Sequence, residues 1–167
     1  MLFYRYSPLR KHDGAESIRL LRLLPNDDEN ATIACQLVDY FLPHSDTGPH
    51  LCEALSYVWG HPRKKHSITL DNCSFGVTAN LHAALTRLRN RYIERVVWID
   101  AICVNQGDLK ERGYQIGCMA RIYGKAKCVA IQAARRSSVR YHRLCCKQQP
   151  ATTTHNRKTP QKCLHPN

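Results

Sequence analysis

A chain of 167 residues that is 43% hydrophobic is long enough for one domain with a buried core and too apolar for wholesale disorder. Its net charge of +12 is unevenly spread: residues 133–167 hold 8 of the 25 Lys and Arg and none of the 13 acids, so the preceding chain has a basic surplus of only 4. That distribution argues against an evenly basic nucleic-acid-binding domain, and no run approaches the roughly 18 apolar residues of a membrane span. The amino end, Met1-Leu2-Phe3-Tyr4-Arg5-Tyr6, has no apolar h-region or cleavage site. The nine cysteines therefore belong to a cytoplasmic, reduced protein, where Cys35, Cys52, Cys103, Cys118 and Cys128 act mostly as small hydrophobes.

In chain order, Ser17 to Leu24 predicts a strand stopped by Pro25-Asn26-Asp27-Asp28. Thr32 to Tyr40 alternates at period two, with Ile33, Cys35 and Leu37 on one face, and the pair reads as an antiparallel hairpin. Glu53 to Trp59 reads as a buried strand ended by Gly60-His61-Pro62. Ser67 to Asn72 enters a turn from which Phe75-Gly76-Val77 returns. Thr78 is an N-cap for a helix from Ala79 to about Arg91, with Leu81, Ala84, Leu85 and Leu88 on its buried face and Arg87, Arg89 and Arg91 toward water.

Val96 to Asp100 is a further strand, followed by the polar turn Cys103-Val104-Asn105-Gln106-Gly107. Asp108 and Glu111 have capping-box spacing for the next helix, whose core face is Ile116, Met119, Ile122, Tyr123 and Ala126, with Gly124 near its end. Lys127 to Ile131 is a last strand, so strand, helix and strand form a βαβ unit with parallel strands. The fold class is α/β, with mixed α+β as the variant, and a hairpin in front. After Ile131 the pattern and the acids stop together. Residues 1–131 thus form the domain and 132–167 a basic, disordered tail.

Two blocks, Ser56-Tyr57-Val58-Trp59-Gly60 and Trp98-Ile99-Asp100-Ala101-Ile102-Cys103-Val104-Asn105-Gln106, resemble the signatures of the fungal heterokaryon-incompatibility (HET) domain. Tyr6-Ser7-Pro8-Leu9, Val77 to Leu81, and Glu111-Arg112 through Ala126 extend the resemblance in order over residues 4 to 130. It implies a signalling or assembly module in non-self recognition and programmed cell death, with protein partners or self-association and no required cofactor. It also implies kinship with TIR domains and hence a TIR- or flavodoxin-like, partly parallel sheet. The family's usual Val-Trp-Leu-Gly continuation is absent after Val129, so the resemblance implies a sheet incomplete at the C-terminus, and a non-functional truncated remnant is one alternative reading.

The other alternative, an NAD glycohydrolase, makes NAD a substrate and assigns roles to specific residues. Asp100 would stand at the carboxyl end of a strand, where open sheets bind ligands, and Glu111 would stabilise an oxocarbenium-like transition state. Asn105 and Gln106 would bond a ribose or amide, and Trp59 would stack on a ring. Each also has a plainer role: Asp100 tying down its turn, Asn105 in a left-handed position, Glu111 as cap partner, and Trp59 and Trp98 as core aromatics. Glu53 is a weaker acid candidate. Cys103 lacks a basic neighbour in sequence to lower its pKa and is a poor nucleophile. The loop His61 to His66 is basic but has no glycine-rich cradle, so it reads as solvated. Cys145, Cys146, Cys163, His142, His155 and His165 fit no common zinc spacing, and no metal is expected. Nucleic acid would be reached only through the tail.

Overall fold

A computed structural model describes residues 2–10, 15–43, 53–126, 128–132 and 144–145. Its strands are β1 (Ala15–Leu23), β2 (Ala34–Pro43), β3 (Glu53–Tyr57), β4 (Lys64–Leu70), β5 (Cys73–Thr78), β6 (Arg95–Trp98), β7 (Cys128–Gln132) and β8 (Leu144–Cys145). They form a single mixed sheet in the order β5-β4-β2-β1-β6-β3-β7-β8. Three helices complete it: α1 (Ala79–Leu88), the single turn α2 (Asp100–Cys103) and α3 (Leu109–Lys125).

The expected front hairpin is present as β1 and β2, paired antiparallel from Ala15↔Pro43 to Leu23↔Cys35. Ile18, Leu20, Leu21 and Leu23 are all buried, so β1 is covered on both faces, as its nearly unbroken apolar run requires. The second hairpin, β4 and β5, turns at Asp71 and Asn72, both at positive φ (47° and 62°). Two left-handed residues in succession give the turn whose twist matches paired strands.

Thr78 caps α1 by accepting the Leu81 N–H at 3.3 Å, and Leu81, Ala84, Leu85 and Leu88 are buried as the spacing predicts. The helix stops at Leu88, however, and the arginines beyond it are not a wet helical face. The Arg89 guanidinium donates to the carbonyls of Ala31, Asp28 and Glu29, and Arg91 pairs with Glu29. Together they tie the β1–β2 connection to the end of α1. In α3 the buried set is Gln115, Cys118 and Ile122, while Ile116 is 58% exposed. The expected core face holds at Ile122 and Ala126, which are buried, and at Met119 and Tyr123, which pack against the core. It fails only at Ile116, whose place is taken by Gln115, turned inward to donate to the Ser17 carbonyl at 2.9 Å. The helix also runs past Gly124 to Lys125.

β6, β3 and β7 are mutually parallel, with β3 in the middle. The expected β6–α3–β7 unit has parallel strands, but they are not neighbours, since β3 lies between them. From β3 the chain moves to β6 on one side, and from β6 it crosses to β7 on the other. The carboxyl ends of β3 and β6 thus lie side by side, at the end of the sheet where open α/β folds hold ligands, while the switch point of this strand order falls between β3 and β7. Among the described residues no helix is long and apolar enough to cross a membrane. The segment expected to be a tail lies mostly outside the described residues; within it, Leu144–Cys145 pair with β7 as β8.

Candidate functional site

β3 runs toward its carboxyl end through fully buried Ala54 and Leu55 and finishes at Tyr57. Past the strand end the chain reverses at Gly60, whose φ is +68°. A Cβ there would lie 2.5 Å from the Asn80 Nδ2, so only glycine fits. The same Asn80 amide donates to the Val58 carbonyl at 2.9 Å and fastens the loop to the start of α1. Trp59 is thereby held at the surface, 48% exposed, and is not a core aromatic. Its ring lies nearly parallel to that of Tyr57, at 8° with centroids 6.5 Å apart.

β6 ends beside it, paired parallel. Trp98 is fully buried and meets Tyr123 edge-on at 5.6 Å, as a core tryptophan should. Asp100 follows at the start of α2. One carboxylate oxygen accepts the Ala101 N–H at 2.7 Å, and the other accepts the Trp59 indole N–H at 3.1 Å. The side-chain amide of Gln106 donates to the Asp100 carbonyl at 2.9 Å, closing the turn. Burial raises the Asp100 pKa, partly offset by the hydrogen bonds from Ala101 and Trp59. A folded carboxyl that holds its proton more tightly than the unfolded one costs stability as pH rises from the ordinary carboxylate range. Burial, and then the charge of Asp100, also push the Tyr123 hydroxyl up to about 12 and the Tyr57 hydroxyl well above its ordinary range.

Glu111 belongs to a different cluster. Its carboxylate faces inward and is gripped by Arg19 through two contacts, Nη1–Oε1 at 2.5 Å and Nη2–Oε2 at 3.1 Å. The Asn105 backbone N–H adds a third bond to Oε1 at 2.8 Å. Arg19 in turn donates to the carbonyls of Ser7 at 2.6 Å and Cys103 at 3.3 Å, and its guanidinium lies 5.1 Å from the Tyr6 ring centroid. The Tyr6 hydroxyl donates to the Ile102 carbonyl at 2.8 Å. The side chains of Arg19 and Glu111 are only 3% and 9% exposed. Asp108 does cap α3, accepting the N–H groups of Lys110 and Glu111. Glu111 gives no reciprocal bond to Asp108: it reaches back to Asn105, so the capping box is half formed.

Asn105 is not left-handed, since Asp71 and Asn72 are the non-glycine residues at positive φ among those described. Its side-chain oxygen instead accepts the Gly107 N–H at 3.1 Å, an Asx turn. The carboxyl ends of β3 and β6 therefore unite Trp59, Asp100 and Gln106, while Asn105 and Glu111 join Arg19. Glu53 is paired with Arg95 across β3 and β6. Cys103 is buried, and its sulfur accepts the Ile99 N–H at 3.3 Å, in keeping with a small hydrophobe. Among the described residues no group of three His, Cys, Asp or Glu could hold a metal ion; Cys145, Cys146, Cys163, His142, His155 and His165 lie outside the residues whose side chains are described. Arg19 and Tyr57 were missed as site residues. The signal for Arg19 was a charge inside an apolar strand run, which is buried only when it has a partner.

A family model described as Heterokaryon incompatibility protein (HET) matches residues 52–165, and the chain belongs to this family. Both signature blocks, with the Trp59–Asp100 bond between them, lie inside the match. The chain is also similar to a Neurospora crassa protein, Heterokaryon incompatibility protein 6, OR allele, at 30% identity over 141 residues. That alignment takes in 77% of this chain but 20% of the relative, so the chain spans about a fifth of the length of the curated protein it matches. No solved structure matches.

Proposed function

We propose that the chain is a cytoplasmic signalling module of fungal non-self recognition, acting by protein contact or self-association to trigger programmed cell death. The observation that carries this reading is the presentation of Trp59. The indole is half exposed, yet it is fixed by a bond to Asp100 and by a loop clasped through Asn80. An oriented, exposed tryptophan is the residue type that most often anchors a protein interface, because it buries a large area with few rotamers to freeze. Glu111 supports the same reading from the other side: its charge is spent on Arg19 in a buried pair, which suits a structural post better than an acid facing substrate.

A second reading, a TIR-like NAD glycohydrolase, draws on the order of the parallel strands. By appearance in the chain, β3, β6 and β7 lie in the order 2-1-3, the beginning of the flavodoxin-like arrangement, and Asp100 follows β6 at the carboxyl end of these strands, one strand from the β3/β7 switch point. In that case Asp100, with its raised pKa, would be the working acid, NAD would be a substrate, and no resident cofactor would be needed. The two readings separate when the full chain and its Trp59→Ala and Asp100→Asn variants are produced in a fungal host and scored for death and NAD content. The module reading expects death to fall with Trp59→Ala while NAD stays level before lysis. NAD loss that precedes death and vanishes with Asp100→Asn would replace it with the hydrolase.

A further inference from the structure

The loop that carries Trp59 continues into His61 and Arg63, and these face the start of α1 across a cleft of about 430 Å³ lined by His61, Arg63, Ala79 and Asn80. A cavity of this size falls within the range of small-molecule sites, about 300–1,000 Å³. We propose that this cleft binds the phosphoryl group of a small phosphate ester, giving the module a soluble ligand in addition to its protein contacts.

Three features of the lining match a phosphoryl anion. Arg63 is exposed, and among the described residues no carboxylate pairs with its guanidinium, so a planar fork of donors is available for a bidentate contact. The Nδ1 of His61 accepts the Arg63 backbone N–H at 3.2 Å. An imidazole used in this way carries its proton on Nε2, leaving that atom as a second donor. The wall opposite is fixed: Asn80 is held by the Val58 carbonyl and pressed against Gly60. The first turn of α1, which contributes Ala79 and Asn80 to the lining, contains no acidic residue to repel an anion. The cavity and its two basic side chains carry the assignment, and the helix end adds only a favourable field. Its volume exceeds the needs of a lone oxyanion, which is why an ester with a sugar-sized remainder is the expected ligand.

The test is calorimetric titration of the full chain with ribose 5-phosphate, inorganic phosphate and ribose. Ribose 5-phosphate should bind saturably, ribose should not, and Arg63→Ala and His61→Ala should each weaken binding tenfold or more. Arg63→Lys should retain part of the affinity, because it keeps the charge and loses the fork. Inorganic phosphate binding as tightly as the ester would still uphold phosphoryl recognition and would name the free anion as ligand. Unchanged affinity in Arg63→Ala would overturn the proposal, since binding would then lie elsewhere, including the basic residues 133–167. Ribose binding as well as its phosphate would overturn it too. Both substituted residues are exposed; a thermal melt of each variant, coincident with that of the parent, separates loss of site from loss of fold. The outcome is independent of death and of NAD, so it can fail while the module reading stands.

Discussion

Arg19 sits mid-strand between buried Ile18 and Leu20, and its charge is tolerable there only because Glu111, two carbonyls and an aromatic face surround it. Through these contacts one side chain joins the lead-in segment at Ser7, the end of α2 at Cys103 and the first turn of α3. Removing one partner should be far worse than removing both. Glu111→Ala is expected to lower the unfolding free energy by about 3–5 kcal/mol, because a charge is left buried and alone. The double variant Arg19→Met, Glu111→Leu should recover most of that loss. Urea denaturation of the three proteins checks this; equal destabilisation by Glu111→Ala and by the pair would remove the case for a buried ion pair. At this scale the sequence was only partly legible. It nominated Glu111 from its spacing to Asp108, but the partner that sets its role lies 92 residues away, and no local pattern encodes that distance.

At the scale of elements, patterns with a strong period and a clear cap were readable. The hairpin of β1 and β2, the turn before β5, α1 with its Thr78 cap and α3 with its Asp108 cap all follow from local chemistry. Two things were not readable: the single turn α2, too short to show a period, and the exchange of Ile116 for Gln115 in the first part of the α3 core face, since a buried glutamine reads as surface. The loop after β3 shows how a signature can be structural in origin. Gly60 is required both by its positive φ and by the close approach of Asn80. Gly60→Ala should cost about 1–2 kcal/mol from backbone strain alone, with the contact adding to it. Because the contact is with a side chain, Gly60→Ala combined with Asn80→Ala should cost less than the sum of the two single changes. Thermal unfolding in a double-mutant cycle measures the coupling, and strict additivity would show that the two residues do not touch.

On the scale of the whole molecule, the front hairpin and the parallel trio β6-β3-β7 are joined in one mixed sheet along a single seam. β1 belongs to the hairpin, β6 to the trio, and they meet antiparallel through Leu21↔Val97, Arg22↔Val96 and Leu23↔Arg95. Leu21 and Val97 are fully buried there. If the seam makes the two parts one cooperative unit, Leu21→Ala should destabilise both together, by about 2–5 kcal/mol. Far-ultraviolet circular dichroism and tryptophan fluorescence would then report coincident transitions in parent and variant. A variant with two separated transitions would mean the halves fold independently. The seam and the strand order could not be read from the sequence. Periodicity tells which residues face a core, not which strand lies beside which, and so β3 was not expected between β6 and β7.

That insertion of β3 has a consequence for synthesis on the ribosome. One neighbour of β3, the β7 strand, begins at Cys128, 71 residues after β3 ends at Tyr57. At about 5–20 residues per second, the nascent chain carries β3 for roughly 4–14 s before its last partner is made. Throughout that interval one side of Glu53–Tyr57 is a row of unpaired N–H and C=O groups. Such an edge pairs with any strand it meets, including the same segment on a neighbouring nascent chain. On a crowded polysome, slower translation between β3 and β7 is expected to divert more of this protein from its native sheet into intermolecular sheet.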